Sequence, residues 1–183
     1  MYYKERWTEN FFADRILKWI VDLLVVVVMA FLAIWFFGKD ITVDGNSMTE
    51  TLENEQVVLL NRLAYELNSP QTGDIIAYQQ EGDTQISLKR IVAEPGDTVE
   101  IKEGVLYVND TPSSYNTDRD LIVYSGIAGN KFTVEDGSYF VMGDNWNNSE
   151  DSRYKEIGTI KQEDILGKVW LRVAPFAKIG LVK

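Results

Sequence analysis

Neither cysteine nor histidine occurs anywhere in the 183 residues. Without cysteine there is no disulfide framework, no thiol nucleophile and no cysteine zinc site. Without histidine there is no Ser-His-Asp triad, no Cys-His pair and no imidazole metal ligand. Acid–base chemistry near neutral pH therefore falls to a carboxylate, a lysine or a tyrosine whose pKa the fold displaces. A basic patch is missing too. The formal net charge is −10, whereas a phosphate backbone calls for a cationic surface, so no nucleic-acid partner is expected. What is present is 45% hydrophobic residues, too apolar for a mainly disordered chain. The length accommodates one modest domain plus a membrane anchor.

The anchor is the run ILKWIVDLLVVVVMAFLAIWFF, residues 16–37. As a helix it reaches roughly 33 Å, enough for a hydrocarbon core of about 30 Å. Lys18 and Asp22 lie near its start, where they can snorkel or pair, and Trp19 and Trp35 lie near its two ends. Lys4, Arg6, Arg15 and Lys18 precede or open the run, while Lys39 is the only nearby cation after it. The positive-inside rule then gives a cytoplasmic N-terminus, residues 1–15, and an exported part, residues 38–183. The run is long for a signal peptide, and Phe-Phe-Gly-Lys-Asp is a poor cleavage site, which favours an uncleaved anchor.

Beyond residue 41 the pattern is β. Short apolar runs at 56–60, 74–78, 85–93, 98–101, 105–108, 138–142 and 168–173 are separated by turn signals such as Pro95-Gly96-Asp97 and Asp136-Gly137. The fold expected is mainly β, a curled antiparallel sheet or barrel. Residues 109–131 form a polar loop or small inserted lobe, and short helical pieces fit 49–54 and 61–67.

Three places carry candidate chemistry. Ser47, in Val-Asp-Gly-Asn-Ser-Met-Thr-Glu, fits a capping box with Glu50, and a serine opening a helix also lies beside backbone N–H donors suited to an oxyanion. Strand alternation puts Ser87, Lys89 and Ile91 on one face and Leu88, Arg90 and Val92 on the other, so a basic group sits among apolar neighbours. Desolvation lowers a lysine's pKa, and a neutral lysine near a serine hydroxyl can take its proton. The plainer reading of Lys89 is a solvated strand-edge cation. Arg90 cannot serve as base, because guanidinium does not deprotonate. The third place, residues 143–153, is rich in Asp, Asn and Ser. Pairing of Asp151 with Arg153 would shape this loop; Asp144, Asn145 and Asp151 also offer oxygen ligands, but the calcium-loop spacing is absent.

Ser47 to Leu52, Gly73 to Tyr78, Lys89 to Asp97 and Gly143 to Arg153 together resemble the ordered boxes of the type I signal peptidases. The strings Lys-Arg-x-x-x-x-Pro-Gly-Asp and Gly-Asp-Asn-x-x-x-Ser-x-Asp-Ser-Arg are the specific ones, and the likeness spans the anchor and nearly all of the exported part. The resemblance implies that Ser47 is the nucleophile and Lys89 the general base. It further implies that Ser149 orients the lysine, and that Asp151, Arg153, Asp144 and Asn145 support the site. By the same likeness Met48 belongs to an apolar surface near the cleft and membrane, and the Ser47 backbone N–H serves the oxyanion. The implied reaction is removal of signal peptides from exported preproteins, after small residues at the first and third positions before the scissile bond, without metal or cofactor. Two positions depart from the family pattern: Glu50 stands where proline is usual, and Gly45 where some relatives have serine. A membrane-anchored, non-catalytic chaperone for surface-protein assembly is the competing reading. A self-cleaving repressor-type protease is disfavoured by the anchor, and an aspartic protease by the lack of an Asp-Thr-Gly or Asp-Ser-Gly pair.

Overall fold

The computed structural model describes residues 5–37, 39–116 and 120–182, with the side chains of 5–12, 34–37 and 67 outside the description. Lys4, residues 117–119 of the expected loop, and the side chains of Arg6 and Trp35 therefore lie outside the described residues. The chain divides into two compact units, Met1–Gly38 and Lys39–Lys183.

The first unit is one helix, α1 (Glu5–Phe37). Its stretch Ala13–Ala33, 21 residues with a mean hydropathy of 2.5 over an 18-residue window, is long and apolar enough to cross a membrane, and none of that window is buried in protein. Leu, Val and Ile side chains exposed on every face suit a lipid solvent rather than water.

The second unit is built from strands β1 (Lys39–Thr42), β2 (Val57–Asn61), β3 (Ile75–Tyr78), β4 (Ser87–Ala93), β5 (Thr98–Lys102), β6 (Val105–Val108), β7 (Thr111–Pro112), β8 (Phe132–Thr133), β9 (Ser138–Met142), β10 (Ile160–Lys161), β11 (Ile165–Ala174) and β12 (Gly180–Leu181). A single-turn helix, α2 (Ala64–Leu67), follows β2. The large sheet runs β1-β2-β11-β3-β4-β9-β10, with β12 added beside β11, and the small sheet runs β7-β6-β5-β8. Every neighbouring pair described is antiparallel.

Sequence pattern explains the layering. On β2, Val58 and Leu60 point into the core while their neighbours are half-buried. On β3 and β4 burial is nearly continuous, because both faces are covered, and on β4 it takes in Lys89 and Arg90. Ile75, Ala77 and Leu88 pack with Met48 and Leu52 on one side, and Ile76, Tyr78 and Ile91 pack with Tyr139 and Ile160 on the other. Val99, Ile101 and Leu106 join Val92, Phe140 and Trp146 in a third cluster under the small sheet. Ile122 and Ala128, from the expected 109–131 loop, pack into the same cluster as the β5–β6 hairpin.

One local expectation fails. Residues 49–54 form no helix: they run as successive turns, with Leu52 N donating to Met48 O at 2.7 Å and Glu50 at φ 95°. A left-handed residue in the second turn stops helical propagation, so Ser47 opens a turn rather than capping a helix.

Candidate active site

Ser47 and Lys89 come from elements that a flat sheet would keep apart. β1, which leads into the Ser47 turn, and β4, which carries Lys89, stand four places apart in the strand order. At about 4.8 Å per strand their axes would be roughly 19 Å apart. The sheet instead curls, aided by irregularities in the β11–β2 and β11–β3 registers. Lys89 Nζ consequently donates to Ser47 Oγ at 2.9 Å.

The lysine reaches the serine from a dry place, its residue only 6% exposed. Burial pushes the amine below its ordinary value; Asp151 and Glu150 oppose that shift, and Arg153 adds to it. Around the pair lies an open cleft of about 850 Å³, lined among others by Asn46, Ser47, Lys89, Ser149 and Tyr154. A smaller recess of about 360 Å³ adjoins it, with Ser47 and Lys89 in its wall beside Ile41, Val43, Met48, Ile86 and Leu88. Met48 is 1% exposed and packs with Leu52 and Leu88. It belongs to the core under the serine turn, with an edge on the recess, rather than to an exposed apolar surface.

The 143–153 segment braces the pair from the far side. Asp151 is fully buried and meets Arg153 through Nε–Oδ1 at 2.8 Å and Nη2–Oδ2 at 2.9 Å. The same carboxylate accepts from Gly143 N at 3.0 Å and from the Ser149 hydroxyl at 2.8 Å. Arg153 spends its remaining donors on the carbonyls of Tyr124, Trp146 and Ser149. A buried ion pair this fully hydrogen-bonded meets its desolvation cost locally and fixes the loop's shape. Ser149 lines the cleft with Lys89, and its hydroxyl donates to Asp151.

Asp144 works on the opposite face of β4. It binds Arg90 bidentately at 2.8 and 2.7 Å, and Arg90 reaches on to Gly73 O at 2.8 Å and Thr51 Oγ1 at 3.3 Å. Adjacent residues on one strand therefore serve two purposes: Lys89 faces the cleft, and Arg90 ties the serine turn to the 143–153 loop. Asn145 completes the tie, its N donating to Ser47 O at 3.0 Å and its Nδ2 to Asn46 O at 3.1 Å. Both loop carboxylates, Asp144 and Asp151, are thus matched to arginines. Among the described residues no group of three or more acidic side chains is placed to hold a metal ion.

Two residues play parts that the sequence reading did not assign them. Gly143 lies so close to the serine turn that an added Cβ would meet Ser149 Oγ at 2.3 Å and Ser47 O at 2.4 Å. Arg172 donates to Thr51 O at 3.2 Å from β11, a strand whose sequence reads only as core. The glycine's place between a strand and a polar loop was a faint signal; Arg172 gave none.

Comparison with known proteins places the chain by its sequence. The family described as "Signal peptidase, peptidase S26" matches residues 16–174. A protein named probable signal peptidase I-1 from Synechocystis is 32% identical, the match covering 86% of this chain and 82% of that protein. Signal peptidase IB of Staphylococcus aureus is 33% identical, covering 90% and 92% respectively. A protein named inactive signal peptidase IA from the same species is 28% identical over 90% and 95%. A crystal structure of a signal peptidase I from Enterococcus faecalis shares 31% identity, covering 55% of this chain and 97% of that one, with a TM-score of 0.43. With most of its length matched, from the apolar helix to the end of β11, the chain belongs to the signal peptidase family, peptidase S26.

Proposed function

We propose that this protein is an active, membrane-anchored signal peptidase whose nucleophile is Ser47 and whose general base is Lys89. The observation that carries the reading is the 2.9 Å hydrogen bond between a buried lysine amine and a serine hydroxyl at the base of an open cleft. In the neutral-amine form the hydroxyl becomes the donor of that bond. Lys89 then accepts the hydroxyl proton as Oγ attacks the scissile carbonyl carbon. The oxyanion is met by the Ser47 backbone N–H, which donates to no protein acceptor among the described residues. Collapse breaks the C–N bond, and the Lys89 ammonium returns the proton to the departing amine. Lys89, neutral again, deprotonates the water that hydrolyses the ester at Ser47.

Substrate class follows from the recess beside the pair. Ile41, Val43, Met48, Ile86 and Leu88 form the apolar part of its wall beside Thr42, Asp44, Thr84, Gln85 and Ser87, and that part suits small apolar side chains on the acyl side of the scissile bond. Exported preproteins with small residues at the first and third positions before that bond are the proposed substrates. The arginine and lysine placement around α1 supports a cytoplasmic N-terminus, residues 16–37 in the bilayer and residues 38–183 outside.

A relative named inactive makes the non-catalytic reading concrete. Here both members of the pair are present and bonded, which favours catalysis. The deciding experiment incubates the detergent-solubilised full chain with a labelled preprotein. Cleavage by wild type, with none by folded Ser47→Ala or Lys89→Ala, is expected. Full turnover by Lys89→Ala would reject the dyad, and binding without cleavage by wild type would favour the chaperone.

A further inference from the structure

The two members of the pair are held very differently. Lys89 comes from the middle of β4, paired on both sides with β3 and β9. Ser47 sits on the loop 43–56, whose base is closed by Val43 N to Gln56 O at 2.8 Å and Glu55 N to Val43 O at 2.9 Å. Its first limb is tied down by Asn145 at residues 46 and 47. The return limb, residues 51–56, is held at Leu52 by core packing, at the Thr51 hydroxyl by Arg90 and at Asn54, whose Oδ1 accepts from Gly45 N at 2.8 Å, while its backbone carbonyl at Thr51 and its far end at Gln56 look to β11.

Arg172 grips that limb. Its Nη1 donates to Thr51 O and to Gln56 Oε1, both at 3.2 Å, and its Nε donates to Lys178 O at 2.6 Å. One planar fork therefore joins both ends of the return limb to the turn after β11. The register shift between Arg172 and Ala174 lies at this residue, where a bulge re-aims a side chain. Gln56 is 2% exposed, so removing the arginine strands a buried amide oxygen. Lys178, steadied through its carbonyl, grips the same limb at Glu53 with 2.6 and 2.7 Å contacts. That exposed pair is weak by itself. The half-buried guanidinium is the stronger hold.

We propose that Arg172 is a positioning residue for the nucleophile, acting through the Thr51 carbonyl to keep the serine turn within hydrogen-bond reach of Lys89. For turnover this rests on the peptidase reading; for geometry it stands alone. Arg172→Met keeps the apolar stem and removes the fork, whereas Arg172→Lys keeps the charge but offers an ammonium in place of the planar fork.

Kinetics and a structure of each variant test the idea together. Arg172→Met is expected to lose about 10- to 100-fold in kcat with KM changed less than about threefold, the scale set by misplacements of about 1 Å. Arg172→Lys should recover part of that loss. The Ser47–Lys89 separation in Arg172→Met should exceed hydrogen-bond distance. A purely stabilising arginine would lower the melting temperature yet leave kcat of the folded variant unchanged, and that result overturns the proposal. So does a separation still at 2.9 Å. Should Arg172→Met not fold, Arg172→Lys decides: reduced kcat at unchanged KM supports the proposal and wild-type kcat overturns it. A wild-type protein that cleaves no preprotein overturns the peptidase reading instead, and the measured separation alone then judges Arg172.

Discussion

Replacing Gly143 by alanine adds one methyl group at the most crowded point of the site. The glycine does not require a left-handed backbone, since its φ is not among the positive ones, so the effect is steric alone. The new Cβ would lie 2.4 Å from Ser47 O and 2.3 Å from Ser149 Oγ. Ordinary van der Waals contact begins near 3.4 Å, so the serine carbonyl has to retreat by about 1 Å or the 143–149 strand end must move as far. Ser149 can rotate away only by giving up its 2.8 Å bond to the buried Asp151. The Ser47 carbonyl can move only by lengthening its 3.0 Å bond from Asn145 N. Rotation of Ser149 relieves only its own contact, so the Ser47 carbonyl has to move as well; that carries the hydroxyl away from Lys89, and a displacement of about 1 Å costs on the order of 100-fold in rate. Overpacking a tight site costs about 1–3 kcal/mol in stability, so the domain should remain folded. The assay pairs kcat on a preprotein with urea unfolding of the same preparation. Gly143→Ala within twofold of wild-type kcat would refute the reasoning, because the contacts leave no room for a neutral outcome.

Lys89→Met should stabilise the domain at neutral pH. The unfolded lysine titrates near 10.4, and burial depresses the folded one. Between the two values the unfolded chain binds more protons, so stability rises with pH there. The gain from Lys89→Met is thus greatest below the folded pKa and fades as pH approaches 10.5; unfolding curves at pH 7 and pH 10 check it. Arg153→Met leaves the Asp151 carboxylate buried without its cation and should cost about 3–5 kcal/mol, measurable by urea denaturation. Glu50→Pro restores the residue usual in the family, yet Glu50 holds φ 95° and proline is locked near −65°. It should therefore rebuild the turn and reduce kcat, measured on a preprotein beside wild type.

Much of this was legible in the amino-acid order, because some of it is written in local pattern. The runs 105–108 and 138–142 match β6 and β9 residue for residue, as apolar segments bounded by turn signals should. The pairing of Asp151 with Arg153 could be read from two oppositely charged residues two apart in a polar loop. Residues 49–54 misled because Ser47-x-x-Glu50 has the composition of a helix start, while the left-handed Glu50 that ends it leaves no mark in side-chain chemistry. The two-residue strands β7, β8, β10 and β12 went unread because so short a strand shows no periodicity. Arg90 was recognised only as unfit to be a base. Its bond to Asp144 joins residues 54 apart and depends on how β4 meets the following loop. Contacts that depend on curl, such as Arg172 with Thr51, separated by 121 residues, have no local trace at all.

The central claim concerns one amine, and it can be watched directly. Wild-type protein carrying isotope-labelled lysine can be titrated by NMR, with the Lys89 resonance assigned by its loss in Lys89→Met. The account predicts a midpoint below the ordinary lysine value and a matching rise in kcat/KM as that amine loses its proton. A midpoint at the ordinary value near 10.4, with cleavage already at full rate while the amine is charged, would contradict it.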